Sequence, residues 1–275
     1  MPEGDTIHRA AATLAKALTG RTVTRFETGY AQLARADDQS PIAGRTIDEV
    51  RAEGKHLLMR FSGGLTLRTH MRMSGSWHIY RPGQRWQRPR SEMRVLIETD
   101  AYHAVAFLVP VAEFLDDHAL ERSPALRRLG PDLLGDEFDP VQARQRLRAK
   151  PDQPLSEVPL DQSIAAGAGN VYRSESLFLA KLDPGRLASS VSDAEIEALF
   201  ALLRKLMQAN TATGASGQIV TYTGLRRTTG RSDPSERLWV YGRGNKPCRR
   251  CGAPIAYRKV GADARGLYFC PKCQR

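Results

Sequence analysis

No stretch of this sequence approaches the roughly 18 uninterrupted apolar residues of a membrane helix, so no span is expected. The N-terminus lacks the apolar core and small-residue cleavage site of a secretory signal, because Glu3 and Asp5 interrupt it, and a cytoplasmic protein is expected. Internal repeats and low-complexity tracts are missing, which excludes a solenoid. Cysteine does not occur before Cys248. Acids are scarce, 30 Asp and Glu against 41 Lys and Arg, for a net charge of +11 and a pI near 9.8. That excess favours a polyanionic partner over an acidic small molecule. What remains is ample for burial: 275 residues with 41% hydrophobic character suggest two cores.

The shortage of acids is sharpest at the end. From Leu225 to Arg275, thirteen Lys and Arg face only Asp233, Glu236 and Asp263. Such clustering is the electrostatic footprint of phosphate binding. The apolar "RLWVYGR" within it argues against a disordered, merely solvated tail. All four cysteines lie here, Cys248, Cys251, Cys270 and Cys273, spaced C-x2-C-x18-C-x2-C. Two disulfides are one reading; a four-thiolate zinc site on two knuckles is the other, and a reducing cytosol favours it. Four thiolates leave no position for water or substrate. One structural Zn2+ holding a small hairpin is therefore expected.

Ile7, Ala11, Leu14 and Leu18 recur at helical spacing, with Gly20 as a stop, so residues 5–19 are predicted helical. From Gly20 to about Leu115, short segments such as "RTVTRFE", "HLLMRF", "LTLRTH" and "RVLIE" alternate with turns and predict a β-sandwich. Pro124, Gly130, Pro131 and Pro140 then punctuate a domain boundary near residue 130. Helices are predicted over "PVQARQRLRA", "LDQSIAA", "VYRSESLFLAK" and "SDAEIEALFALLRKLMQA".

Several short motifs have both a plain and a chemical reading. In "MPEGD", Pro2 suits a first helical turn, yet after removal of Met1 it would be a secondary amine and a potential nucleophile. In "AGAGN", Gly167, Gly169 and Asn170 make a helix–helix turn or a phosphate-capturing helix start. Lys55, beside Gly54 at a hairpin tip, is either solvated or functional. The same holds for His70, Arg72 and Met73 at the end of another strand.

Together these motifs resemble, in order and nearly end to end, the formamidopyrimidine-DNA glycosylase and endonuclease VIII family. "MPEGD" is similar to its catalytic N-terminus and "GKHLL" to its hairpin lysine. "LDQSIAAGAGNVYRSE" is similar to its helix-two-turn-helix signature, and "CRRCG" with "YFCPKCQ" to its zinc hairpin. The resemblance implies an α+β fold: a β-sandwich with flanking helices over 1–130, a helix-two-turn-helix DNA-binding domain over 131–240 and a zinc hairpin over 241–275. It implies a monomeric, nucleoid-associated enzyme of bacterial type that acts on damaged double-stranded DNA. Pro2 would attack C1′ of a flipped nucleotide, with Glu3 transferring protons and Lys55 assisting the lyase steps. His70, Asn170 and Arg265 would grip phosphates. Met73, with Arg72, would fill the gap left by flipping. Arg173 and Glu175 match polar positions near the site.

Two departures qualify the resemblance. The formamidopyrimidine branch carries Arg-Arg-Phe-Gly in the later strands, where this chain reads "FLVPVAEFL". That points to the endonuclease VIII branch and to oxidised pyrimidines, with formamidopyrimidine or 8-oxoguanine excision as the alternative, and non-catalytic binding of damaged DNA as another. Pro159 stands where the family has a leucine-like residue. It costs little at a first helical turn and about 3 kcal/mol deeper in a helix.

Overall fold

The structure, a computed structural model, describes residues 2–211, 226–229 and 233–275. The chain divides into two compact units whose boundary falls between Arg127 and Arg128. The first opens with α1 (Gly4–Leu18). Its apolar stripe, including Ile7, Leu14 and Leu18, is buried, and Gly20 at φ +81° breaks it. Only a residue tolerant of left-handed backbone reverses the chain so abruptly. The stripe lies against β2 (Ile47–Glu53) and β3 (His56–Phe61).

Two antiparallel four-stranded sheets form the sandwich. One is ordered β2-β3-β4-β8, with β4 at Leu65–His70 and β8 at Val111–Asp116. The other is ordered β1-β6-β7-β5, from β1 (Arg25–Thr28), β5 (Ser76–Tyr80), β6 (Met93–Glu98) and β7 (His103–Phe107). Side chains alternate across each strand, so Leu57, Met59 and Phe61 face inward to the same core as Trp77, Ile79, Val95 and Ile97. The Trp77 indole N–H is satisfied by Thr69 Oγ1 at 3.1 Å.

The strand-only expectation for Gly20–Leu115 is corrected by α2 (Ala31–Gln39). Leu33 is its one buried residue, so there is no apolar period to read. Two short helices, α3 (Asp117–Arg122) and α4 (Pro124–Arg127), close the unit.

The second unit packs α5 (Pro140–Arg148), α6 (Asn170–Leu179) and α7 (Asp193–Thr211) around Leu147, Leu155, Ile164, Tyr172, Phe200 and Leu203. Asp139 caps α5 by accepting the N–H of Val141 and Gln142, with Pro140 in the first turn. The helix expected over "LDQSIAA" is absent. Val158–Leu160 forms one 3-10 turn with Pro159 inside its first turn, where a missing N–H costs nothing. The Asp161 carboxylate then accepts from both the N–H and the hydroxyl of Ser163, the local bonding by which Asp and Ser outcompete helix. The last elements are the antiparallel hairpin strands β9 (Ala256–Val260) and β10 (Arg265–Phe269).

Candidate active site and nucleic-acid interface

In the first unit, Pro2 is buried and leads directly into α1. Glu3 is 1% exposed, and its carbonyl accepts the N–H groups of Thr6 and Ile7. The backbone that carries this buried carboxyl is thereby fixed next to residue 2. Lys55 follows Gly54, whose φ of +58° lets two residues turn β2 into β3. Immediately after it, His56 is the cross-strand partner of His70.

The two imidazoles are tuned together. Arg68 Nη1 donates to His56 Nδ1 at 2.9 Å while its Nε donates to Glu113 at 2.7 Å. Arginine can only donate, so His56 must accept at Nδ1 and is neutral. Burial, then His70, Arg68 and Lys55, push the His56 pKa down to about 3. Burial, then Lys55 and Arg72, lower His70 to about 4. The Arg72 N–H donates to His70 Nδ1 at 3.1 Å, which leaves Nε2–H of His70 as a donor. Arg72 itself lies at φ +46°, and Met73 beside it is 64% exposed. The structure thus sets His70, Arg68 and Lys55 against His56, and Arg72 against His70; His56 adjoins Lys55 in "GKHLL", where the motif gives a role to the lysine alone.

In the second unit, Asn170 and Arg173 converge on one atom. Asn170 Nδ2 and Arg173 Nη2 donate to the Gly266 carbonyl at 2.8 and 2.7 Å. Arg173, 1% exposed, also reaches the carbonyls of Arg265 and Ser156. Arg265 carries its own guanidinium outward, paired to Asp263 at 2.7 Å. Asn170 Oδ1 is buried without a partner among the described residues. The loop before it, with Gly167 at φ +110°, is folded by Gln162, which accepts from Gly167 N and donates to the Leu160 and Ala168 carbonyls. Gln162 was legible in the motif but its task was not.

Glu175 is directed elsewhere. Fully buried, its carboxylate accepts the consecutive N–H groups of Trp239, Val240 and Tyr241, each at 2.8 Å, and the Thr228 hydroxyl. Burial raises its pKa and those four donors oppose the rise. The clamp seats Val240 beside Phe178, Cys248, Ile255 and Cys270 in a small apolar cluster.

The four cysteine sulfurs lie within 4.8 Å of one another, with Cys251–Cys270 at 3.5 Å and Cys248–Cys273 at 4.0 Å. A tetrahedral shell of Zn–S bonds of about 2.3 Å needs sulfurs about 3.8 Å apart, so the set fits zinc. None of the four is in a disulfide, and the Arg250 N–H points at Cys248 Sγ at 3.4 Å.

Residues 1–110 match the formamidopyrimidine-DNA glycosylase N-terminal domain, 129–221 its H2TH domain, and 245–275 the zinc finger found in FPG and IleRS. The chain belongs to the formamidopyrimidine-DNA glycosylase and endonuclease VIII family. Similar members of this family include "Probable endonuclease 8 2" of Streptomyces coelicolor, 40% identical over 100% of this chain and 94% of that protein. "Endonuclease 8 2" of Mycobacterium tuberculosis is 37% identical, with 100% of both chains covered. "DNA-(apurinic or apyrimidinic site) lyase Nei2" of Mycolicibacterium smegmatis is 36% identical over 100% of this chain and 99% of that one. The fold matches the Lactococcus lactis Fpg in complex with abasic-site DNA, at TM-score 0.82, 23% identity and full coverage of both chains. The cysteine cluster is the family's structural zinc site.

Proposed function

We propose that this chain is a bifunctional DNA glycosylase and AP lyase of base-excision repair that removes oxidised pyrimidines. The carrying observation is its match, end to end, to relatives named endonuclease 8 and DNA-(apurinic or apyrimidinic site) lyase, with Pro2 and buried Glu3 at the head of α1.

Removal of Met1 exposes the Pro2 nitrogen. A terminal amine has an ordinary pKa near 8, so about a tenth is uncharged at neutral pH, far more than for a lysine near 10.4. Its lone pair bonds to C1′ of a nucleotide turned out of the duplex, and the bond from C1′ to the base breaks, the base leaving with the electron pair and a proton. Glu3 delivers a proton to the ring oxygen as the sugar opens. The product is an iminium. A proline nitrogen has no proton left to shed, so the iminium stays positively charged and acts as an electron sink. Loss of a C2′ proton then expels the 3′ phosphate by β-elimination, and δ-elimination expels the 5′ phosphate. Lys55 offsets phosphate charge during these steps.

His70 contributes a neutral Nε2–H donor to a backbone phosphate, and Asn170 and Arg265 act likewise from the second unit. Met73 is the apolar wedge that takes the place of the flipped base, with Arg72 beside it. Arg173 and Glu175, both buried and bonded to backbone, serve binding through the segments they hold. The uncharged Leu108-Val109-Pro110 supports the oxidised-pyrimidine reading, as do relatives named endonuclease 8.

Borohydride should trap the mature protein on a duplex containing thymine glycol or 5-hydroxyuracil, and Pro2→Gly should reduce trapping sharply. Trapping confined to 8-oxoguanine opposite cytosine would reverse the substrate assignment. Full turnover by protein that mass spectrometry shows still bearing Met1 would end the Pro2 mechanism.

A further inference from the structure

The segment between β5 and β6, residues 81–92, carries Arg81, Arg85, Arg88 and Arg90 against the single acid Glu92. A charge run of this kind is ordinarily a solvated surface. This one is fixed to the sheet. Trp86 packs edge-on against Phe107, with ring centroids 5.6 Å apart, and stacks on Tyr80 at 6.3 Å. Beneath it runs a buried chain of hydrogen bonds. Gln87 N–H donates to Tyr80 OH, which bonds His78 Nδ1 at 2.9 Å, and His78 Nε2 bonds Ser76 Oγ at 2.9 Å. Arg90 lies over the Trp86 ring and pairs with Glu27, and Arg88 pairs with Glu92. Arg81 and Arg85 are exposed with no acid in ion-pair range among the described residues.

The strap also returns to a particular end of the sandwich. Phe107 is the register partner of Ser76 on one side and of Met93 on the other. The strap's last residues and the Gly75 turn are thus two strand spacings apart, about 10 Å. The Leu108 N–H donates to the Glu92 carbonyl at 2.9 Å, joining the strap to the uncharged Leu108-Val109-Pro110. The rim that presents Arg72 and Met73 therefore has arginines on its neighbouring strap and none on the segment between.

We infer that the anchored strap 81–92 is a second DNA-binding surface, in which Arg81 and Arg85, the two strap arginines without an acid partner among the described residues, engage duplex phosphates. It rests on the reading of this chain as a DNA-binding enzyme. The side chains are all arginine, whose planar fork matches phosphate oxygens and is only weakly hydrated. The Trp86 anchor holds the strap in place before DNA arrives, so less ordering remains to be done on binding.

The test is equilibrium binding to a duplex with a tetrahydrofuran abasic analogue across a range of KCl concentrations. Each phosphate contact contributes about 0.9 to the slope of log Kd against log salt. Replacing Arg81 and Arg85 together by Gln, which leaves the Trp86 anchor and its Arg90 intact, should make the slope shallower by about two. The corresponding double Lys variant should restore most of it. A control pair, Arg51→Gln and Arg60→Gln, removes the same charge from other strands and should leave the slope unchanged. An unaltered slope in the strap variant, or an equal change in the control, would overturn the inference. Borohydride trapping by the wild-type protein is read separately, so loss of the glycosylase reading and loss of the strap surface are distinguishable.

Discussion

His56 and His70 meet edge to face across β3 and β4, ring centroids 4.9 Å apart, with Lys55 acting electrostatically on both. Neutral imidazoles here avoid adding charge to a site already holding Lys55, Arg68 and Arg72. The cost falls on acid stability. The unfolded chain takes up histidine protons below its ordinary value of about 6.5, while native His56 resists to about 3, and His70 and His78 to about 4. The unfolded state thus binds more protons in that window, and native stability must fall as pH drops from about 6.5 toward 4. Melting temperature should decline across this range, and His56→Gln should flatten the decline. A melting temperature indifferent to pH between about 7 and 5 would contradict it.

Glu175 predicts a different failure. Glu175→Ala would leave the three backbone N–H groups without their acceptor, at about 1–3 kcal/mol for each that stays buried, while the Thr228 hydroxyl can still donate to the Arg237 carbonyl. Hydrogen exchange at Trp239, Val240 and Tyr241 should accelerate, and DNA affinity should drop although the carboxylate itself is fully buried. Glu175→Gln, retaining one acceptor oxygen, should lie between.

The zinc site should be separable from the sandwich. Val240 and Phe178 share an apolar cluster with Cys248 and Cys270, so losing the metal loosens the hairpin that positions Arg265 and the Gly266 carbonyl. A strong chelator, or Cys248→Ser, should weaken DNA binding while the first unit's melting transition persists. Intact binding after verified zinc removal would refute the structural role.

The Gly75 turn admits no side chain. A Cβ there would sit 2.6 Å from the Met71 carbonyl oxygen and 2.9 Å from its Cα, both backbone atoms that cannot swing aside. Gly75→Ala should displace Arg72 and Met73 and lower affinity for lesion-containing duplex about tenfold or more, the equivalent of about 1.4 kcal/mol. Its melting temperature should change less than that of Glu175→Ala.

Local rules were enough for much of this protein. The helical spacing of Ile7, Leu14 and Leu18, the Asp139-Pro140 start and the paired Cys-x2-Cys knuckles are all legible in sequence, because each depends on residues a turn or two apart. The helix Ala31–Gln39 is hidden because one buried leucine makes no period, and the Ile164 segment has a helical pattern that Asp161 and Ser163 override by bonding each other. Only the folded chain brings His56 to His70, Glu175 to the backbone of Trp239–Tyr241, and the Trp86 strap to the rim bearing Met73. Those partnerships join residues far apart in the chain. Burial and strand register select them, and neither is written in any local pattern.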